Sequence, residues 1–203
     1  MLLYRPMYRY SDQMTTPPNL AEAAASALGS TPIYPDPETL MLDVQTPAGD
    51  LLAIDDPLLI RNLREGLDNR HELTLLRSHR SMTDCRPVSL FSLQTVEQLS
   101  RETAVDLDKR RFRANIYVDL ASDLPFSEDE FLGQKLQIGA KAVVAVVARD
   151  SRCKMIILDP DTAEANPEIM RNLTQAHDGK AGVYGVVIVE GIVSPGDEIA
   201  LLD

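Results

Sequence analysis

The run Ala142 to Ala148, AVVAVVA, constrains the fold more than any other stretch of this chain. It is the longest unbroken apolar segment, it is rich in β-branched valine, and it is far too short to span a bilayer. It reads as a strand buried on both faces. Other short apolar runs surround it. Leu40, Leu42 and Val44 alternate with Met41, Asp43 and Gln45, break at the turn Pro47-Ala48-Gly49-Asp50, and resume in Leu51–Ile54, the pattern of a hairpin. Glu72 to Arg77, Phe112 to Asp119, Leu136 to Ile138, Met155–Leu158, Val183–Val189 and Ile199–Leu202 also read as strands, the last after the turn Ser194-Pro195-Gly196-Asp197.

Helix signals are fewer. Asp56-Pro57 opens one that runs to Gly66. Ser92 caps a second, with Leu93, Val96 and Leu99 at helical spacing. Asn166-Pro167-Glu168 opens a third, combining a cap, a proline at the first position and an acid against the helix dipole. Asn19 either caps a short helix over Ala21–Leu28 or leads into a flexible alanine link. Prolines 6, 17, 18, 32, 35 and 37 break the first forty residues, so 1–38 reads as an arm or an atypical edge and 39–203 as one domain. The fold class is mainly β, a barrel or sandwich with several peripheral short α-helices.

Charge and cysteine content narrow the function. With 20 Lys and Arg against 31 Asp and Glu, the net charge is -11, which argues against a nucleic-acid partner. The start MLLYRPMYRY has no apolar region after a basic one and does not read as a secretory signal, and no segment reads as a membrane span. Two cysteines cannot build a disulfide scaffold; they read as free thiols in a reducing, cytoplasmic setting.

Three segments could carry chemistry. Cys153 lies in Arg149-Asp150-Ser151-Arg152-Cys153-Lys154, where flanking cations favour the thiolate, the form that ligates soft metals or attacks electrophiles. The alternative is a buried cysteine acting as a small hydrophobe. Lys109-Arg110-Arg111-Phe112-Arg113-Ala114-Asn115 reads as a strand with Arg111, Arg113 and Asn115 on one face, a fork of guanidinium and amide groups suited to a planar anionic ligand. Its alternative is a solvated basic patch paired with Asp106, Asp108 and Asp119. Thr83-Asp84-Cys85-Arg86-Pro87 offers Asp84 as an acceptor and Cys85 as a second thiol, or simply a turn. The acidic run Ser127-Glu128-Asp129-Glu130 reads as a capped surface turn. No zinc spacing, nucleophile elbow, phosphate loop or dinucleotide fingerprint is present.

Taken together, Arg110 to Ile116, Phe126 to Phe131, Leu136-Gln137-Ile138-Gly139, Ser151-Arg152-Cys153 with Leu158 to Thr162, and Gly191 to Asp197 resemble the MOSC domain from about Arg77 onward. MOSC is the domain that ends molybdenum cofactor sulfurase and forms the core of the amidoxime reducing component. The resemblance implies a MOSC-type β-barrel that binds the molybdenum cofactor (molybdopterin). It implies Cys153 as the metal ligand and catalytic thiolate. It places Arg113, Asn115, Asp84, Arg86, Arg111 and Arg152 around the pterin or the metal, with an apolar wall from Ala142–Ala148 limiting water. The implied function is an oxidoreductase that reduces small N-hydroxylated compounds with electrons from a separate reductase. The alternative is a non-catalytic carrier of the cofactor, or of sulfur as a persulfide. Larger members anchor the cofactor phosphate with an N-terminal Lys-Ser pair and an Arg; residues 1–40 lack that motif, leaving Arg77, Arg80 or Arg86 to supply the anchor.

Overall fold

The computed structural model describes residues 2–10, 20–25, 40–65, 67, 72–76 and 86–202. Contacts divide the chain into two units. The first carries a three-stranded antiparallel sheet, β1 (Arg5–Tyr8), β2 (Leu42–Gln45) and β3 (Leu51–Ala53), in the order β1-β2-β3. A short helix, α1 (Leu20–Ala25), lies between β1 and β2 in the chain. The β2–β3 hairpin sits where alternation predicts it, with Val44 paired to Leu52. The first forty residues therefore include an edge strand, which Arg9 reinforces through an ion pair with Asp43 at 2.7 Å. Helix α2 (Pro57–Glu65) begins as expected: Pro57 needs no N–H partner, and Asp56 Oδ1 accepts from Leu58 N at 2.8 Å. Residues 72–76, expected within a strand, are not one, and Arg77 lies outside the described residues.

The second unit is built on six strands in the order β5-β4-β8-β7-β6-β9. These are β4 (Val88–Ser92), β5 (Ile116–Val118), β6 (Lys135–Ile138), β7 (Ala142–Ser151), β8 (Lys180–Val189) and β9 (Ile199–Leu202). Only the β4–β5 pair is parallel, and its crossover carries α3 (Leu93–Thr103). The two edge strands, β5 and β9, line one cavity of about 980 Å³, so the sheet curls into a half-barrel. The mainly β reading with peripheral short helices holds.

Strand alternation gives this sheet two faces. Leu90 joins Val118, Leu136, Ile138, Val144, Val146 and Val183 inside the curl. Phe91, its neighbour, points the other way, onto α3 and α4 (Pro167–His177) through Val96, Leu99, Ile169 and Leu173. Both helices start at the expected caps: Ser92 Oγ accepts from Thr95 N at 3.1 Å, and Asn166 Oδ1 accepts from Glu168 N at 3.1 Å.

Three expectations change here. Ala142–Ala148 is not buried on both faces. Ala142, Val144 and Val146 are buried inside the curl, while Val147 is exposed. Met155–Leu158 is not a strand. Residues Lys154–Ile157 form a 3-10 helix, and the alternation-free pair Ile156 and Ile157 packs with Ile169 and Leu173 of α4. The acidic run is not a surface turn. It is a 3-10 helix, Ser127–Phe131, in which Glu128 is 0% exposed and Asp129 pairs with Arg149 at 2.9 Å. Glu128 Oε2 accepts from Ser92 Oγ at 2.7 Å and Thr95 Oγ1 at 2.9 Å, joining the turn to the start of α3.

Two outcomes follow for stability. Replacing Glu128 with Ala leaves buried hydroxyls without their acceptor and should cost about 2–4 kcal/mol in denaturant unfolding. The second concerns Glu102, 2.8 Å from His177, which in turn stacks on Phe126. Burial pushes Glu102 up, but hydrogen bonds from Gln98 and His177 outweigh it and hold the carboxyl below its usual range. A depressed carboxyl stabilises the fold above its unfolded pKa, and that contribution disappears as pH falls through the folded value. The stability difference between wild type and Glu102→Gln should therefore be full at neutral pH and shrink below about pH 4.

Candidate functional site

Two short 3-10 helices on the Phe91 face of the sheet define the candidate site. The first, Lys109–Phe112, replaces the strand expected for Lys109 to Asn115. Asp108 causes this: its Oδ1 accepts from Arg110 N at 2.7 Å and its C=O accepts from Arg111 N at 3.0 Å, which starts a tight turn. The turn ends at Arg113, whose φ of 51° lies in the left-handed region. Arg111, Arg113 and Asn115 consequently do not share a face. The second, Lys154–Ile157, begins at Cys153, which is exposed with extended backbone (φ -102°, ψ 175°).

The basic segment divides by function. Arg110 is a surface residue held between Asp108 and Asp161, each at 2.6 Å, and its pKa is raised accordingly. Arg111 turns inward; it is 8% exposed, donates to Ile157 O at 3.2 Å, and pairs with Asp159 at 2.8 Å. Asp159 itself sits below the usual carboxylate range because the N–H groups of Asp161 and Thr162 donate to it, with Arg111 adding to the effect. Arg111 therefore docks the first turn on the second and has little left for a ligand. Arg113 is exposed, and no hydrogen bond or ion pair engages its side chain among the described residues.

Asn115 is half-committed. Its Oδ1 accepts from Ser89 N at 2.9 Å and Ser89 Oγ at 3.0 Å, and its own N–H reaches Ser89 O at 3.1 Å. Among the described residues no hydrogen bond engages the donors of its amide Nδ2.

Arg152 turns inward as Arg111 does. Its side chain is 7% exposed; Nε donates to Ala181 O and Nη1 to Phe112 O, both at 2.8 Å. Nη2 lies 2.9 Å from Asp150 Oδ2, an electrostatic contact rather than an aligned hydrogen bond. The guanidinium carbon sits 5.0 Å from the Phe91 ring centre and 5.7 Å from that of Phe112, and those rings stack at 4.3 Å. Burial lowers the Arg152 pKa, opposed by the charge of Asp150. Arg86, just before β4, is exposed and engaged by a neighbour. Asp84, Cys85, Arg77 and Arg80 lie outside the described residues.

The structure thus gathers Cys153, Arg152, Arg111 and Arg113 at one pair of turns, with Asn115 beside them at the start of β5. The expected wall from Ala142–Ala148 is not there, since its buried side chains face into the curl; Phe112, Ile156 and Ile157 supply the apolar surroundings instead. Sequence reading missed Phe91, Asp150 and Gly182. Gly182, at φ +77°, lies so close that an added Cβ would come within 2.7 Å of Phe91 and 3.1 Å of Arg152 Nη2. A lone glycine inside an apolar strand is the signal for such a close approach.

The 980 Å³ cavity is a separate feature. Its floor includes Val118, Leu136 and Ile138 on the Leu90 face, and Asn115 alone of the predicted residues lines it. Its charged lining is Asp119, Glu130, Asp197 and Glu198, which does not suit an anionic cofactor. Among the described residues no three His, Cys, Asp or Glu side chains gather as for a metal ion, and no helix is long and apolar enough to cross a membrane. A metal on this face would depend on Cys153 and on ligands its own cofactor brings.

Molybdenum cofactor sulfurase from Drosophila willistoni is 27% identical over 135 residues, which is 66% of this chain and 16% of that protein, so the chain matches only a small part of that relative's length. A solved structure of YiiM from Geobacillus stearothermophilus aligns with a TM-score of 0.46 at 19% identity, covering 58% of this chain and 55% of that one. The MOSC domain family model matches residues 77–200, more than half of the chain. The chain belongs to the MOSC domain family.

Proposed function

We propose that this protein binds the molybdenum cofactor through the Cys153 thiolate and reduces N-hydroxylated compounds with electrons from a separate reductase. The observation that carries this reading is the exposed Cys153 at the head of one turn, cross-tied to the turn that ends at the uncommitted guanidinium of Arg113. A thiol, a guanidinium and an amide nitrogen that are uncommitted among the described residues form a donor set that fits a sulfur-ligated metal on an anionic, heteroatom-rich pterin. The family, and a relative named molybdenum cofactor sulfurase, support the choice of cofactor.

When bound, the cofactor supplies two-electron redox chemistry at a sulfur-ligated metal. The chain's residues do the rest. Cys153 anchors the metal from a backbone fixed at the mouth of a 3-10 helix. Arg113 neutralises cofactor anions, and Asn115 donates from Nδ2 while Ser89 holds its carbonyl. Arg86 remains a candidate cofactor contact on the segment before β4, as the resemblance implies, and so does Asp84, which lies outside the described residues. Arg111 and Arg152, each largely buried and bonded to backbone carbonyls of neighbouring elements, hold the frame. In the overall reaction an N–OH group gains two electrons and two protons, the N–O bond breaks, and water leaves.

A carrier of cofactor or persulfide sulfur is the second reading. It is favoured by the exposure of Cys153 at the protein surface, where a partner can reach it.

Expression in a host that makes the cofactor decides between them. The catalytic reading expects molybdenum and pterin close to one per chain, with Cys153→Ala lowering metal content at least about tenfold. It also expects reduction of a benzamidoxime probe when a reductant is supplied. Cofactor that is bound but never turned over, or a Cys153 mass increased by one sulfur, supports the carrier. Separately, Arg113→Ala should weaken pterin retention by about 10- to 100-fold through loss of a charge-assisted contact, without lowering the melting temperature.

A further inference from the structure

We propose that Arg152 is a positioning residue, one that touches no ligand and instead fixes the Cys153 thiol relative to the Arg113 guanidinium. The inference rests on reading Cys153 and Arg113 as one site. It departs from the expectation that Arg152 itself contacts the cofactor.

A guanidinium has five N–H groups in a rigid planar fork. Here Nε is spent on Ala181 O, Nη1 on Phe112 O, and Nη2 faces Asp150, whose side chain is 3% exposed. Phe91 and Phe112 cover the guanidinium, and Gly182 provides the clearance that lets Nη2 lie against β8. With its side chain only 7% exposed, the cation presents little surface to a ligand.

The partners explain what the residue does instead. Ala181 belongs to β8, Asp150 to β7, and Phe112 to the first 3-10 helix. The Phe112 carbonyl directly precedes Arg113, so holding it sets where the left-handed Arg113 backbone departs. Cys153 directly follows Arg152 and starts the second 3-10 helix. Arg111 makes the reciprocal tie, reaching from the first turn to Ile157 O at the end of the second. Two buried arginines thus cross-link the turns in opposite senses. A lysine at 152 cannot serve, because one ammonium on a flexible stem cannot meet three partners in a plane.

The test needs no cofactor. In a Cys85→Ser background, Cys153 is alkylated with iodoacetate and with iodoacetamide at one pH and low salt. The ratio of the two rates removes the intrinsic reactivity of the thiol and reports the positive charge near it. Arg113→Ala should lower the ratio by about two- to fivefold, and added salt should erase the difference. Arg152→Lys keeps the charge at 152 and should lower the ratio by a similar factor, with Arg152→Lys plus Arg113→Ala no lower than Arg113→Ala alone. Phe91→Leu, which loosens the stack and alters no charge, should shift the ratio in the same direction by less, and it serves if Arg152→Lys does not fold. An unchanged ratio in the folded variants overturns the proposal, as does an unchanged ratio in Arg113→Ala. A double variant whose loss is the product of the single losses also overturns it, since Arg152 would then act on the anion directly. Pterin content is measured on the same proteins; its absence counts against the cofactor reading alone, while the alkylation ratio judges the positioning role.

Discussion

A buried cation at the end of β7 organises the outer face of this sheet. Taking the Arg152 guanidinium out of water is costly, and three polar contacts together with the neighbouring stacked pair Phe91 and Phe112 offset that cost. Several local features follow from the need to house it. Asp150 occupies a buried strand position because a counter-charge is required there. Gly182 replaces a side chain that would collide with Phe91 and the guanidinium. Phe112 lies flat on Phe91, and its carbonyl faces Nη1. The exposed thiol and the exposed arginine are the two ends of this frame.

The curl of the sheet separates two environments. Its inner face is aliphatic and opens between β5 and β9 into a cavity whose charged groups are carboxylates. Its outer face holds the helices, the paired turns and the arginines. In a chain of net charge -11, this small set of cationic and thiol groups is the site at which the proposed anionic, sulfur-bearing cofactor would find complementary chemistry.

Much of this was legible in the residues. Caps at Ser92 and Asn166 placed α3 and α4, and the Gly49 turn placed the β2–β3 hairpin, because those signals act within a few residues. The strand expected over Lys109 to Asn115 failed for the same local reason: Asp108 captures Arg110 N and winds a turn, overriding the alternation that follows. Met155–Leu158 looked like a strand because a short apolar run does not distinguish strand from helix; packing against α4 decided it. Cys153, Arg113 and Asn115 were singled out as candidates from motif and chemistry, and the structure places them at or beside the paired turns. The division of the arginines into buried struts and a free cation was not, since it depends on Asp159, Ile157 O, Ala181 O and Phe112 O, contacts 29 to 48 residues away in the chain.

The central claim is that Cys153 is a ligand to molybdenum, and X-ray absorption at the molybdenum edge tests it most directly. The sulfur shell of the cofactor-loaded wild type should contain one more sulfur than that of Cys153→Ser loaded by the same route, with oxygen or nitrogen taking its place in the variant. Identical sulfur shells in the two proteins would contradict the account.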